Sequence, residues 1–378
     1  MKKIAVIGST GSIGVQTLNV VRRYPEKFKI VSLAAGNNTA LFSEQVKEFR
    51  PTVATVVKSF DGIDELKKYS EISVGDTAFK NAIINDADLV VISLVGFTGI
   101  IAVLDAIEKG KNIALANKES LVVGGELVMR KAREKGVKIV PIDSEHSAIW
   151  QALDFDFNRP FKRIILTASG GAFRDKTAEE LKTVTAADAL RHPNWTMGAK
   201  ITVDCATMVN KAFEVIEAKW LYSAPFDKID VIIHRESIIH SMVEYLDGST
   251  IAQMSYPTME LPIQIALCYP ERLKPVTESL NFAKIGTLTF SELDEKRFPA
   301  FSEVVSAGKS GGAYPAVANG ANDAAVKLFL ENKIGFNDIY AAISGALNSF
   351  HGDYNGDFES LRSANDFAAE FVKAKFGV

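Results

Sequence analysis

The chain is poor in cysteine, with two in 378 residues, Cys205 and Cys268. Two thiols exclude a disulfide framework and a Cys-only zinc site, and they suit a reducing, cytoplasmic setting. Long apolar runs are also missing. The uncharged stretch Leu89 to Leu104 has 16 residues interrupted by Gly96, Thr98 and Gly99, short of the roughly 20 that span a bilayer. The apolar start, Ile4 to Ile7, is too brief for a signal segment and is expected to be a first strand, so no membrane association is expected. No Lys/Arg block stands out, and the net charge is -3 with a pI near 6.1. Nucleic acid is thereby disfavoured as a main partner. Internal repeats and low-complexity tracts are absent too. At 47% apolar and 24% charged residues, the composition is that of a globular protein, and the length implies two or three domains of about 150 residues each.

Apolar runs at Ile4 to Ile7, Ile30 to Ala34, Val53 to Val57, Leu89 to Ile92, Ile113 to Leu115 and Val137 to Val140 alternate with amphipathic segments such as Ile13 to Val21 and Ile100 to Ile107. Continuous apolar strands between helices mean a parallel sheet covered on both faces, with ligands expected at the C-terminal strand ends. The first such end carries Gly8-Ser9-Thr10-Gly11-Ser12-Ile13-Gly14. Glycines there admit a pyrophosphate, and the amides of the following helix favour its charge; a tight turn without a ligand is the structural alternative. After the second strand, Ala35-Gly36-Asn37-Asn38 lacks the acid that would hold a ribose 2′-hydroxyl, which favours NADP over NAD. Ala116-Asn117-Lys118-Glu119-Ser120 closes another strand, with Asn117 a helix cap and Lys118 able to meet a phosphate or a substrate oxygen.

The apolar segment Val137 to Ile142 leads into Asp143-Ser144-Glu145-His146-Ser147. Two carboxylates two residues apart can hold a divalent cation; equally, Asp143 can cap a helix whose first turn contains Glu145. Beyond it, a strand from Arg163 to Thr167 precedes Ser169-Gly170-Gly171. A polar region then contains His192-Pro193-Asn194-Trp195-Thr196-Met197-Gly198, where Trp195 suits either a lid or an anchor to the core. Asp204 reads as the N-cap of a helix running continuously to Trp220. On that helix Asn210, Lys211 and Glu214 lie within one turn of each other, and Glu214 is available as a third carboxylate. Alternating segments at Ile229 to Ile233, Ile238 to Val243 and Thr250 to Met254 predict partly antiparallel strands, with a face or edge free for dimerisation. From Ala300 onward only helical periodicities occur, in about four segments separated by Gly-containing breaks.

Seven of these motifs, in order, resemble the 1-deoxy-D-xylulose 5-phosphate reductoisomerase family: Gly8 to Gly14, Ala116 to Ser120, Asp143 to Ser147, Ser169 to Gly171, His192 to Gly198, Asp204 to Glu214 and Ser237 to His240. The resemblance covers the whole chain. It implies an α/β enzyme with an N-terminal Rossmann-like parallel sheet, a central α+β catalytic domain with a mixed sheet, and a C-terminal helical bundle. The expected division is an NADPH-binding domain over 1–142, a catalytic and dimerisation domain over 143–273 with a flexible lid at about 169–199, a linker over 274–299 and the bundle over 300–378. The implied reaction converts 1-deoxy-D-xylulose 5-phosphate to 2-C-methyl-D-erythritol 4-phosphate by a retro-aldol/aldol rearrangement and reduction of the resulting aldehyde. NADPH supplies the hydride, and Mg²⁺ or Mn²⁺, with Co²⁺ as a further option, stabilises enolate charge.

The resemblance puts Asp143, Glu145 and Glu214 on the metal, with Lys118 and His192 joining them in catalysis. Substrate contacts fall on Lys118, Ser144, Glu145, Ser169, His192, Trp195, Cys205, Asn210, Lys211 and Glu214. Cofactor contacts fall on Thr10, Gly11, Ser12, Ile13, Gly36, Asn38, Asn117, Glu119 and Gly198. A sugar phosphate substrate, a homodimer and a cytoplasmic location are implied as well. Cys205 departs from the family's usual serine, and a thiol is a poorer donor than a hydroxyl. Cys205→Ser is therefore expected to lower the Michaelis constant for the substrate; an unchanged or higher value contradicts a phosphate contact there. Asn37 replaces a residue that is often basic. An NADP-dependent dehydrogenase of acidic hydroxy acids accounts for the glycine loop and carboxylates but not for the lid and phosphate cluster, and a nucleotide-binding regulatory protein accounts for the loop alone.

Overall fold

Runs of Ile, Val, Leu and Ala pair only where both faces are covered, and six such strands, with one more polar edge strand, form one parallel sheet of seven. Its strands are β1 (Lys2–Ile7), β2 (Phe28–Ala35), β3 (Val53–Val56), β4 (Glu71–Val74), β5 (Leu89–Ile92), β6 (Asn112–Leu115) and β7 (Ile139–Pro141), ordered β4-β3-β2-β1-β5-β6-β7. The computed structural model describes residues 1–195 and 197–377; Thr196, within the expected lid, and Val378, at the end of the expected bundle, lie outside the described residues. Because β1 pairs with β2 on one side and β5 on the other, the strand order reverses beside β1. That reversal puts the end of β1 at the crevice where such sheets take ligands.

Compactness divides the chain into two units, one comprising residues 1–120, 128–147 and 258–278, the other residues 121–127, 148–257 and 279–378. The parallel sheet belongs to the first, together with the Glu260–Cys268 helix. β4 escaped the sequence reading because it lacks an apolar run: Glu71 and Val74 are exposed on this edge strand.

The second unit is built on a mixed sheet of β8 (Arg163–Ala168), β9 (Ile229–Ile233), β10 (Ile239–Glu244), β11 (Thr250–Met254) and β12 (Ser291–Glu292), ordered β11-β10-β8-β9-β12. Only β8 and β9 run parallel; the remaining pairings are antiparallel. Within 274–299, the expected linker, lie an edge strand, β12, and the short Phe282–Ile285 helix. Four helices follow, Pro299–Ser310, Tyr314–Leu330, Phe336–Ser349 and Phe358–Phe376. Pro299 opens the first, Gly311 with φ +69 ends it, and the Asp357 side chain caps the last by accepting from the Ser360 amide. Among the described residues no helix is long and apolar enough to cross a membrane.

One expectation about the helices fails. Asp204 is not an N-cap, and the helix does not run unbroken to Trp220. Instead Ala199–Ala206 ends, Met208 turns at φ +65, and a new helix covers Val209–Leu221. Asp204 lies buried in the last turn of the first helix, where its carboxylate pairs with Lys200 at 3.0 Å and accepts from Asn322 at 2.8 Å. The local sequence hid the break, because a positive φ at methionine is imposed by surrounding packing rather than by the residue.

Candidate active site

In the first unit, Gly8 ends β1 at φ +93, where a Cβ would stand 2.9 Å from the Ser93 carbonyl oxygen. The Ser93 hydroxyl donates to the carbonyls of Ile7 and Gly8 at 2.9 and 3.2 Å. A Cβ on Gly14 would lie 2.2 Å from the Gly8 carbonyl oxygen, so only glycine lets the helix start this close to the strand. That helix, Ser12–Arg23, follows Gly11 with no side-chain cap and no acid in its first turn. Its leading amides have no intrahelical acceptors and favour an anion. Thr10 and Ile13 are half-buried beside it, while Gly11 and Ser12 are exposed.

The other expected cofactor residues in this unit also hold the strand-end loops in shape. Gly36 is half-buried, and Asn38 caps the Thr39–Phe49 helix by accepting from the Leu41 amide at 3.3 Å. Asn117 is buried, and its amide group donates to the Leu94 carbonyl at 3.1 Å, the Gly96 carbonyl at 3.0 Å and Glu119 Oε2 at 2.9 Å. Its oxygen accepts from the Ser120 amide at 3.0 Å, the capping role expected of it.

Lys118, next in sequence, reaches Asp143 Oδ2 at 2.7 Å. Asp143 Oδ1 accepts from the amides of Glu145 at 3.1 Å and His146 at 3.4 Å. Asp143 therefore does cap the Ser144–Ala152 helix, and the cap orients its second oxygen toward the lysine. Glu145 accepts from the Ser144 hydroxyl at 2.5 Å, and ligand oxygens of Asp143 and Glu145 lie within 4.8 Å of each other. Both acids are half-buried. A pair of hard oxygen donors at that spacing fits Mg²⁺ or Mn²⁺.

In the second unit, the Val209–Leu221 helix presents Asn210, Lys211 and Glu214 as one cluster. Asn210 donates to Glu214 Oε1 at 2.6 Å, and the Lys211 ammonium pairs with Glu214 Oε2. Glu214 is fully buried and offers a further carboxylate oxygen to a cation. Cys205 is half-buried in the preceding helix. Gly171, at φ +67, packs so tightly on that helix that a Cβ would meet the Cys205 carbonyl oxygen at 2.4 Å.

Ser169 follows β8 directly and sits 3.0 Å from His192 Nε2. His192 Nδ1 accepts from the amides of Asn194 at 3.2 Å and Trp195 at 3.0 Å. The proton is thereby assigned to Nε2, which donates to the Ser169 oxygen. Burial, with a smaller effect from the positive Arg174, pushes this imidazole down to about 4, so it is neutral at pH 7. A depressed histidine value means the unfolded chain takes up the proton first. His192 should therefore contribute a loss of stability as pH falls from about 6.5 toward 4. Urea midpoints measured across that range should fall more for the wild type than for His192→Gln; parallel curves would contradict a buried neutral imidazole. The Trp195 ring is half-buried, with its centroid 6.2 Å from that of His240, so the anchoring contact is present. Gly198 begins the Ala199–Ala206 helix.

Sequence reasoning missed Arg174, Asn194 and Ser237 as parts of this neighbourhood. Asn194 donates to the Ser237 hydroxyl at 2.7 Å, and Ser237 is held at φ +52. Nothing in local periodicity marks such long-range partners; Ser237 entered only as part of a motif without a role.

Comparison with known proteins follows the same order along the chain. A family model described as 1-deoxy-D-xylulose 5-phosphate reductoisomerase matches residues 4–125. Two C-terminal-domain models of the same enzyme match residues 139–222 and 254–371. A 1-deoxy-D-xylulose 5-phosphate reductoisomerase of Pelodictyon phaeoclathratiforme is 49% identical over 379 residues, 99% of each chain. The reductoisomerase from Zymomonas mobilis, solved in complex with NADPH, superposes with a TM-score of 0.93 at 38% identity over 99% of each chain. A DOX-P reductoisomerase solved in complex with NADPH, fosmidomycin and magnesium superposes with a TM-score of 0.91 at 34% identity, over 100% of this chain and 98% of that one.

Proposed function

This chain belongs to the 1-deoxy-D-xylulose 5-phosphate reductoisomerase family, and from that premise we propose how its own residues carry out the NADPH- and divalent-metal-dependent conversion of 1-deoxy-D-xylulose 5-phosphate to 2-C-methyl-D-erythritol 4-phosphate. The observation that carries the assignment is the pairing of acid with lysine, Lys118 with Asp143 and Lys211 with Glu214. Carboxylates able to bind a cation and ammonium groups able to bind the substrate's oxygens thereby stand side by side. When bound, the divalent ion polarises the substrate's ketone oxygen and NADPH delivers hydride.

Asp143, Glu145 and Glu214 are the ligands of that ion. Lys118 and Ser144 donate to the reacting end of the sugar. Lys211, Asn210, Ser169, neutral His192 and Cys205 take the phosphate, whose binding orients the rest of the molecule. Trp195 and its neighbours on the lid, about 169–199, exclude water once the site is filled. Thr10 to Ile13 hold the NADPH pyrophosphate, while Gly36, Asn38, Asn117, Glu119 and Gly198 shape the remainder of its site. Exposed Asn37 leaves a 2′-phosphate unrepelled.

The functional division over 1–142, 143–273, 274–299 and 300–378 belongs to the same proposal, as do a homodimer and a cytoplasmic location. Support for the dimer comes from edge strand β11, where Ile251 is 48% exposed, and from Leu246 just before it, 72% exposed. Such an edge invites pairing with a second copy. The test of the assignment follows NADPH consumption with 1-deoxy-D-xylulose 5-phosphate on chelator-treated protein, before and after adding Mg²⁺. Consumption that requires both substrate and metal is expected; metal-independent consumption, or none, overturns it.

A further inference from the structure

Five groups of the second unit close a ring of hydrogen bonds around the Ser169–His192 pair, and Arg174 is the charged member. Ser169 Oγ meets His192 Nε2 at 3.0 Å, and His192 Nδ1 accepts from the Asn194 amide at 3.2 Å. Asn194 Nδ2 then donates to the Arg235 carbonyl at 2.5 Å. Arg174 Nη1 completes the circuit by donating to that same carbonyl at 3.2 Å and to the Ser169 carbonyl at 3.1 Å. The Arg235 carbonyl belongs to a stiff turn. The His234 amide donates to Ala168 at 2.7 Å, and its Nε2 accepts from the amides of Ile238 and Ile239 at 3.2 and 3.1 Å. Gly170, at φ +82, makes the arrangement possible, since a Cβ there would approach Arg174 Cβ to 2.7 Å.

We propose that Arg174 is a positioning residue: by gripping the carbonyls of Ser169 and Arg235 together, it holds the serine just after β8 and the histidine of the lid at the separation that receives the substrate phosphate. A charge-assisted donor shared between two carbonyls resists the splaying of either segment more than a neutral one does. The nearby Asp175 carboxylate, 3.7 Å from Arg174 Nε, is itself engaged by Arg235 and leaves Nη1 for the carbonyls. The inference rests on Ser169 and His192 being substrate contacts.

Steady-state kinetics of Arg174→Met, Arg174→Lys, Ser169→Ala and His192→Ala, with NADPH affinity measured separately by fluorescence, tests it. Arg174→Met keeps the alkyl stem and loses both bonds. Its KM for the sugar phosphate should rise about tenfold, with kcat and NADPH affinity within about twofold of wild type. Arg174→Lys should recover most of the KM. A wild-type KM in Arg174→Met, while Ser169→Ala and His192→Ala raise theirs, overturns the role of Arg174 alone. Unchanged KM in Ser169→Ala and His192→Ala overturns the phosphate reading and this inference with it. A fall in kcat and NADPH affinity in step with KM, as general loosening gives, also overturns it.

Discussion

Asp143→Asn should leave the protein folded and able to bind NADPH while metal-dependent turnover falls by roughly a thousandfold or more, since Lewis-acid stabilisation is worth several kcal/mol. The substitution is nearly isosteric. An asparagine oxygen still accepts from the amides of Glu145 and His146, so the cap on the Ser144–Ala152 helix survives. What disappears is the negative charge that the Lys118 ammonium neutralises at 2.7 Å and that a divalent ion requires. NADPH binding should persist because the contacts proposed for its pyrophosphate are backbone amides of the glycine loop after β1, which the substitution does not alter. Turnover is followed by NADPH consumption and cofactor binding by fluorescence. Substantial residual turnover would remove Asp143 from the metal site.

Gly14→Ala is the complementary case and should lower NADPH affinity by about one to two orders of magnitude, because overpacking here costs roughly 1–3 kcal/mol. The new methyl would stand 2.2 Å from the Gly8 carbonyl oxygen and 2.7 Å from Ser9 backbone atoms. No flexible side chain is there to yield, so the helix start must withdraw from the strand and carry the Ser12 and Ile13 amides with it. Divalent-ion affinity should stay near wild type, which separates this variant from Asp143→Asn. Isothermal titration with NADPH and with Mn²⁺ measures both quantities. Wild-type NADPH affinity would mean that the loop is a tight turn and nothing more.

The parallel sheet was legible in the sequence because buried strands between helices carry uninterrupted apolar runs, as at Ile4 to Ile7 and Leu89 to Ile92. β4 was illegible for the converse reason, since an exposed edge strand needs no apolar run. The C-terminal helices were legible through their punctuation, Gly311 and Gly312 at one break and Asp357 at another. Within the site, residue type was enough to single out the carboxylates and lysines, because few other side chains bind cations or phosphates. Which acid meets which lysine was only partly readable: Lys211 and Glu214 are neighbours on one helix turn, whereas Lys118 and Asp143 meet only when two strands of the sheet adjoin. Asp204 shows the limit of local reasoning. A carboxylate before an apolar segment resembles a cap, yet here it is buried against Asn322, more than a hundred residues away. Arg174 gave no local signal, since its Nη1 donates to backbone carbonyls, which every residue possesses.

The most direct test of the central claim, that Asp143, Glu145 and Glu214 together hold the divalent ion, is an electron paramagnetic resonance titration of Mn²⁺ into the NADPH-bound protein and into Asp143→Asn, Glu145→Gln and Glu214→Gln. One Mn²⁺ per wild-type chain is expected, with that site lost or weakened at least about tenfold in each variant while NADPH remains bound. Undiminished Mn²⁺ binding in any of the three would contradict it.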